Sequence, residues 1–175
     1  MNIQGFQKLT LLDFPGKMAC TIFTAGCDLR CPFCHNAPLV INPPKESAYP
    51  EEEILSFLDK RKGVLDGMAI TGGEPLMQPD IEDFITKVRE KGYAVKIDTN
   101  GTFPDRLISL VEKGLVDYVA MDVKSSKEGY PQCVGIGNYD LSKIEKSGPK
   151  FAFICALNRR RGGYHPPATQ DMRSI

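Results

Sequence analysis

Three segments of the chain, residues 51–62, 80–91 and 104–113, repeat apolar side chains three and four positions apart. This spacing places the apolar side chains on one side of a helix, so the pattern predicts three amphipathic helices. Each segment ends in Lys-Gly. A lysine near the last carbonyls and a glycine just beyond them are typical helix ends, which supports the same three boundaries.

Short apolar runs lie between these helices and predict strands. Residues 68–70, 93–97 and 118–121 follow the three helices in turn, and residues 18–24 precede them. Strands that alternate with helices are typical of a parallel sheet. A complete eight-fold barrel usually needs about 250 residues. The 175 residues of this chain are therefore predicted to form one α/β domain, a partial parallel barrel or an open parallel sheet.

Two segments depart from this alternation. Residues 37–50 contain four prolines and no helical repeat, which predicts a loop that covers part of the fold. Residues 149–175 contain consecutive arginines, paired glycines and paired prolines, although residues 151–157 are a candidate fifth strand. We expect this atypical tail not to complete the barrel, as in a truncated or frame-shifted chain. A genuine short variant, whose tail docks on the sheet or on a partner, is the alternative.

Charge and hydropathy argue against two classes of partner. Lys plus Arg and Asp plus Glu both number 22, which gives a net charge of zero. This balance provides no basic surface for nucleic acid or for an anionic membrane. No apolar run reaches the ~18 to 20 residues of a membrane span, and the first residues lack a signal-peptide pattern. The sequence therefore predicts a cytoplasmic protein that binds neither membranes nor nucleic acid.

A group of three cysteines carries the strongest chemical signal. Cys27, Cys31 and Cys34 follow the first predicted strand with the spacing C-x3-C-x2-C. Three thiolates on one tight loop can hold three irons of a [4Fe-4S] cubane, which leaves the fourth iron open to bind a substrate. A tetrahedral zinc site completed by Cys20 is the alternative, but the second C-x2-C pair of a zinc ribbon is absent.

The remaining cysteines and one histidine receive supporting roles. Cys20, Cys133 and Cys155 lie in or beside apolar runs, and we predict that they are structural. In a reducing compartment, cysteines are more often ligands or core residues than disulfide partners. His35 directly follows Cys34, so it is poorly placed to reach the same open iron. We expect it to pack on the loop or to support the ligands.

The three cysteines, with Phe33 directly before the third one, resemble the signature of the radical S-adenosylmethionine (SAM) superfamily. The flanking residues 12–17 and 34–36 are similar to the glycyl-radical-enzyme activases, and most to the activating proteins of anaerobic ribonucleoside-triphosphate reductases. The resemblance runs from about residue 5 to about residue 147. It implies a (β/α)6 partial barrel with a [4Fe-4S] cluster and SAM as cofactors.

The same resemblance implies a reaction and its partners. An electron from flavodoxin or ferredoxin reduces the cluster, and SAM is cleaved to methionine and a 5′-deoxyadenosyl radical. This radical takes a hydrogen atom from a glycine of a glycyl radical enzyme, here the anaerobic ribonucleoside-triphosphate reductase. Two alternatives remain open. One is a radical SAM enzyme that acts on a small molecule or peptide, and the other is a non-catalytic zinc or electron-transfer module.

Polar and glycine-rich residues follow the predicted strands at 71–75, 98–101 and 122–124. The carboxyl ends of parallel strands share one edge, where functional groups collect. Glycines without side chains let the backbone approach a ligand, carboxylates can accept hydrogen bonds from its amino group or ribose hydroxyls, and a lysine can neutralise its carboxylate. The resemblance implies a SAM site that comprises Phe33, Gly72, Gly73, Glu74, Asp98, Thr99, Asp122 and Lys124. Residues 135–137 form a glycine pattern that is too short for a phosphate-binding loop, and we assign them only a candidate contact with the adenine end.

Overall fold

The computed structural model describes residues 1–147. Within this part of the chain, five strands form one sheet in chain order: β1 (Ile3–Thr10), β2 (Ala19–Thr24), β3 (Gly67–Gly72), β4 (Ala94–Thr99) and β5 (Tyr118–Met121). The pairing of β1 with β2 is antiparallel, and the pairings from β2 to β5 are parallel. The predicted α/β fold with a parallel sheet is therefore confirmed.

The α-helices described in the same part of the chain are α1 (Ala37–Val40), α2 (Glu51–Lys60), α3 (Ile81–Glu90), α4 (Pro104–Glu112), α5 (Tyr130–Val134) and α6 (Ser142–Ser147). The first four lie between the parallel strands, and α5 and α6 follow β5. The three helices predicted from apolar spacing are α2, α3 and α4. The glycines that follow them, Gly63, Gly92 and Gly114, have φ values of 78°, 89° and 67°. This left-handed conformation is typical of the residue just beyond a helix, and it agrees with the predicted ends of α3 and α4, whose C-caps are Lys91 and Lys113. Helix α2 instead ends at Lys60 with Arg61 as its C-cap, two residues before Gly63. No helix within residues 1–147 is long and apolar enough to cross a membrane.

The main hydrophobic core lies between α2, α3 and α4 and one face of the sheet. Side chains alternate along each strand, so one set faces the helices and the other set faces away from them. The residues that form the core with no measurable exposure include Cys20, Ile22, Ile54, Leu58, Met68, Ile70, Phe84, Ile85, Val95 and Ile97. Each fully buried aliphatic or aromatic side chain contributes about 1.5 to 3 kcal/mol. These three helices therefore cover one face of the sheet and do not cover the opposite face.

The face of the sheet opposite these helices, called the open face here, carries Ala19, Thr21, Gly67, Lys96 and Asp98. The loop between β1 and β2 folds over its lower end, where the parallel strands begin. Phe14 in this loop is 2% exposed, and its ring centroid lies 6.2 Å from that of Tyr118. A Cβ atom at Gly67 would lie 2.9 Å from the Phe14 ring, so the close packing requires glycine there. Phe14 therefore closes the lower end of the open face.

Several features of the structure differ from the sequence prediction. Residues 37–50 were predicted to be a loop without helix, but they contain the single helical turn α1, which has Pro38 in its first turn, where proline is tolerated. The sequence pattern did not predict β1, α5 or α6. Residues 149–175, with the candidate strand at 151–157 and Cys155, lie outside the described residues.

Candidate functional site

The three motif cysteines lie on one loop, residues 25–36, which follows the carboxyl end of β2 and is called the cysteine loop below. Backbone hydrogen bonds attach this loop to three neighbours. The Gly26 N–H donates to Leu39 O at 2.7 Å, Gly26 O accepts from the Glu74 N–H at 2.8 Å, and the Arg30 N–H donates to Val134 O at 2.9 Å. The loop is therefore held by its own continuation into α1, by the segment after β3 and by α5.

Glycines allow the segment after β3, residues 73–75, to pack directly on the cysteine loop. A Cβ atom at Gly73 would lie 1.9 Å from Gly26 O. At Gly72, φ is 111° and a Cβ atom would lie 2.4 Å from Thr24 N. Neither position can accept a side chain without moving backbone. The predicted approach of these glycines to SAM stays a prediction, and the structure adds a packing reason for both.

The sulfur of Cys27 is surrounded by hydrogen-bond donors. The Leu29 N–H lies 3.4 Å from Cys27 Sγ, and the side-chain amide of Asn100 lies 3.6 Å from it. Burial raises the pKa of the Cys27 thiol to about 11. Burial also raises the pKa of the Cys31 thiol, whereas the nearby Lys124 ammonium lowers it. Burial therefore favours the neutral thiols, whereas the N–H donors and the Lys124 ammonium favour the thiolates that bind metal.

The three motif cysteines are free thiols. None of the five cysteines within residues 1–147 forms a disulfide. In the same residues, no three Cys, His, Asp or Glu side chains lie close enough together to hold one metal ion. Three thiolates on one loop can each bind a different iron of a cubane, and the assignment of Cys27, Cys31 and Cys34 to a cluster stays a prediction.

Cys20, the proposed fourth ligand of the zinc alternative, lies elsewhere. Its side chain has no exposed surface and packs in the core between the sheet and the helices. Burial raises the pKa of this thiol to about 12. The structure therefore gives no support to a zinc site that includes Cys20, and the predicted structural role of this residue agrees with its position.

Glu74 is a buried residue that links the segment after β3 to the end of β4. It is 1% exposed, and its carboxylate accepts hydrogen bonds from the Leu76 N–H at 3.0 Å, the Thr99 hydroxyl at 2.8 Å and the Asn100 N–H at 2.7 Å. Burial raises the pKa of this carboxyl to about 7, although the three donors lower it. The structure thus gives Glu74 and Thr99 a shared internal contact, and their contact with SAM stays a prediction.

Asn100 is a site residue that sequence reasoning missed. The pair Asn100-Gly101 readily forms a turn by itself, so its sequence gives no reason to expect a longer-range contact. In the structure Asn100 is 7% exposed, and its side-chain amide donates to Asp28 Oδ1 at 3.0 Å as well as to Cys27 Sγ. The segment after β4, residues 100–103, therefore touches the cysteine loop directly. The only sequence signal for this contact was its place after a strand, at the same edge as the cysteines.

Asp98 lies on the open face with an unusual set of partners. Its carboxylate pairs with the ammonium group of Lys96, which is 6% exposed, and accepts a hydrogen bond from the Thr71 hydroxyl. Burial raises the pKa of the Asp98 carboxyl, and the Lys96 charge opposes this effect. Asp13 from the loop between β1 and β2 is close enough to raise it further, and accepts from the Thr21 hydroxyl at 2.7 Å.

Asp122 and Lys124 follow β5 and pair with each other. Burial alone would lower the pKa of the Lys124 ammonium, but Asp122 and the nearby Cys31 and Cys34 raise it. This proximity places the Lys124 charge beside the cysteine loop. The Cys133 thiol, at the end of the same connection, donates to Lys124 O at 3.2 Å.

The remaining predicted residues lie at the margin of the site. Phe33 is 54% exposed on the cysteine loop, and His35 is also exposed. Gly135 packs against that loop, because a Cβ atom there would lie 2.3 Å from Arg30 O. Gly137 has open space around it. Their predicted roles beside SAM stay predictions.

Comparisons with known proteins agree with this geometry. The family model of the radical SAM superfamily matches residues 21–147. A protein of Methanocaldococcus jannaschii, whose name assigns it provisionally to the glycyl-radical enzyme activating enzymes, is 37% identical over 157 residues, which cover 89% of this chain and 63% of that protein. The pyruvate formate-lyase-activating enzyme of Clostridium pasteurianum is 31% identical, over 85% of this chain and 65% of that enzyme. The chain thus spans a little under two thirds of the length of these relatives.

A solved structure supports the fold. The crystal structure of QueE from Escherichia coli matches 83% of this chain and 66% of that chain with a TM-score of 0.50 and 19% sequence identity. At this identity the match supports a shared fold and nothing further.

Proposed function

Because this chain belongs to the radical SAM superfamily, we propose that it binds a [4Fe-4S] cluster and SAM and produces a glycyl radical on a partner protein. Members of the superfamily use this pair of cofactors. Support for the finer activity comes from the names of the relatives that activate glycyl radical enzymes. One observation supports the proposal most directly. The cysteine loop lies beside the residues that follow β3, β4 and β5, at one edge of the sheet.

Cys27, Cys31 and Cys34 would hold three irons of the cluster. When bound, the reduced cluster supplies the electron that cleaves SAM into methionine and a 5′-deoxyadenosyl radical. The protein's part is to hold the thiolates, to bind SAM beside them and to exclude water. The Leu29 N–H and the Asn100 amide donate to the Cys27 sulfur and thereby stabilise its charged form.

Lys124 and Asp98 carry the charges that suit the two ends of the methionyl group. The Lys124 ammonium lies near Cys31 and Cys34, so a carboxylate bound by it would lie beside the cysteine loop. Asp98 lies on the open face of the neighbouring strand, and its carboxylate can accept hydrogen bonds from an ammonium group or from ribose hydroxyls. The backbone of Gly72 packs on the end of β2, and that of Gly73 packs on the cysteine loop.

The open face would receive the glycine of the partner. Phe14 closes its lower end, which limits the entry of water from that side. Exclusion of water protects a reactive radical from side reactions. The hydrogen atom leaves the glycine Cα and joins the 5′ carbon, which yields 5′-deoxyadenosine and a glycyl radical. The anaerobic ribonucleoside-triphosphate reductase is the proposed partner, with flavodoxin or ferredoxin as the electron donor.

The experiment incubates the anaerobically reconstituted chain with SAM, reductant and one candidate partner, and records the glycyl doublet by EPR. Separate reactions contain an anaerobic ribonucleoside-triphosphate reductase or a pyruvate formate-lyase, because the relatives differ in partner. We expect the doublet with the reductase and none with the Cys31→Ala variant. A doublet with the lyase alone would reassign the partner. Formation of 5′-deoxyadenosine without a doublet on either protein would favour a small-molecule or peptide substrate.

A further inference from the structure

We propose that Asn100 is a positioning residue that raises the reduction potential of the cluster through a hydrogen bond to the sulfur of Cys27. The proposal rests on the proposed function, since it requires that Cys27 binds the cluster. It concerns the electron-transfer step rather than SAM binding. The relevant distance, from Asn100 Nδ2 to Cys27 Sγ, is 3.6 Å.

The orientation of the Asn100 amide follows from its other contacts. Its Oδ1 accepts from the Thr102 N–H at 2.9 Å and from the Thr102 hydroxyl at 2.8 Å. A backbone N–H can only donate, so this side of the amide must be the oxygen. The NH2 group therefore points toward the cysteine loop, where it meets Cys27 Sγ and Asp28 Oδ1.

The backbone of Asn100 is fixed as firmly as its side chain. The Asn100 N–H donates to Glu74 Oε2 at 2.7 Å, inside the protein. The Ser147 hydroxyl donates to Gly101 O at 2.7 Å on the other side of the same turn. A turn at Asn-Gly needs none of these contacts. The Glu74 contact therefore holds Asn100 itself at the distance that its amide needs to reach the sulfur, whereas the Ser147 contact lies on the neighbouring residue.

The chemical consequence concerns the charge on the cluster. Reduction adds one electron, and the added negative charge spreads over the sulfurs. Hydrogen bonds to the sulfurs favour the more negative state and therefore raise the reduction potential. Removal of the Asn100 donor should shift the potential to more negative values. Replacement of the amide by a carboxylate should shift it further, because a negative charge then faces the same sulfur.

The test is an EPR-monitored redox titration of the reconstituted full chain without SAM. Asn100→Ala removes the donor, and Asn100→Asp keeps the shape and the acceptor for Thr102 while it removes both amide protons. We expect a more negative midpoint potential for both variants, with the larger shift for Asn100→Asp. Ser147→Ala is the matched control, because it removes a buried hydrogen bond to the same turn without touching the sulfur, and its potential should equal that of the wild type.

Each result separates this inference from the proposed function. A wild-type chain that assembles no [4Fe-4S] cluster overturns both. A cluster whose potential is the same in the wild type and in both Asn100 variants overturns the tuning role alone, and so does an equal shift in Ser147→Ala. Loss of the cluster in both Asn100 variants, while Ser147→Ala retains it, would show that Asn100 serves assembly instead of the potential.

Discussion

The ammonium group of Lys96 is paired with the carboxylate of Asp98 on the same strand, β4, and both side chains lie on the open face of the sheet. Burial favours the neutral form of Asp98, and the Lys96 charge keeps it ionised. Two further groups act on this carboxylate, the Thr71 hydroxyl from β3 and the Asp13 carboxylate from the loop before β2. Lys96 therefore maintains the charge with which Asp98 would bind an ammonium group.

Substitution Lys96→Met should weaken SAM binding in a way that depends on pH. Without the ammonium group the pKa of Asp98 rises further, so more of the carboxyl is protonated at neutral pH and fewer molecules can bind the ammonium of SAM. We therefore expect weaker SAM binding than in the wild type at neutral pH. The loss should shrink as pH rises, because the carboxyl then ionises.

Equilibrium dialysis with SAM measures the ratio of the wild-type and variant affinities. The measurement covers about pH 6 to about pH 8, which is about one unit on either side of neutrality. Lys96→Arg, which keeps the charge, is the matched control and should bind nearly as well as the wild type. A ratio that stays constant with pH would mean that Lys96 acts through packing and not through the charge of Asp98.

Glu74 should make the stability of the fold depend on pH. Its pKa is about 7 in the folded chain and 4.5 in its ordinary state. Between these values the folded chain holds a proton that the unfolded chain has released, so the free energy of unfolding falls as pH rises through this window. The full effect is on the order of 3 kcal/mol.

Glu74→Gln removes this titration, so the wild type should lose stability relative to the variant between about pH 4.5 and pH 7. Denaturant unfolding at several pH values measures the difference. Glu53→Gln, on the exposed surface of α2, is the matched control. Parallel stability curves for the wild type and Glu74→Gln would contradict the buried titration.

Gly73→Ala should separate the two loops that meet there. The added Cβ atom would lie 1.9 Å from Gly26 O, so backbone on one side must move. Such overpacking costs about 1 to 3 kcal/mol. We expect a lower free energy of unfolding and less iron after reconstitution. Gly137→Ala, with open space around it, should change neither quantity. Normal iron content and stability in Gly73→Ala would show that the loops do not need this close packing.

Replacement of Cys27, Cys31 or Cys34 by alanine should abolish the visible charge-transfer absorption of the cluster. Cys20→Ser and Cys133→Ser should keep it, because Cys20 lies in the core and the Cys133 thiol donates to the backbone carbonyl of Lys124. Iron analysis and absorption spectra of the anaerobic proteins provide the measurement. Bleaching in Cys20→Ser would contradict a cluster held by the three motif cysteines.

Much of the fold could be predicted from local patterns, and the omissions have physical causes. Apolar residues are regularly spaced in α2, α3 and α4, because each of these helices buries one side. The parallel strands are short apolar runs, because they lie inside the sheet. The edge strand β1 pairs on one side only, and the middle of the strand is exposed, so it shows no clear alternation. Prolines in residues 37–50 suggested a loop, although Pro38 suits the first turn of α1.

The site residues that belong to a sequence motif could be predicted. The contacts between residues that are far apart in the sequence could not. The cysteines and the polar residues after each strand could be identified from spacing and position. The contact of Asn100 with Cys27 joins residues 73 positions apart, and Asn-Gly already has a local explanation as a turn. The packing of Phe14 against Gly67 and Tyr118 also joins residues that are far apart in the sequence, so no local pattern could predict it.

The most direct test of a cluster with an open iron beside a SAM site is the EPR spectrum of the reduced cluster with and without SAM. We expect the wild-type signal to change on addition of SAM. Lys124→Ala should retain its iron but require about ten to a hundredfold more SAM for the same change, because a charge-assisted contact contributes about 1.5 to 3 kcal/mol. A fully loaded wild-type cluster whose spectrum does not respond to SAM would contradict the account.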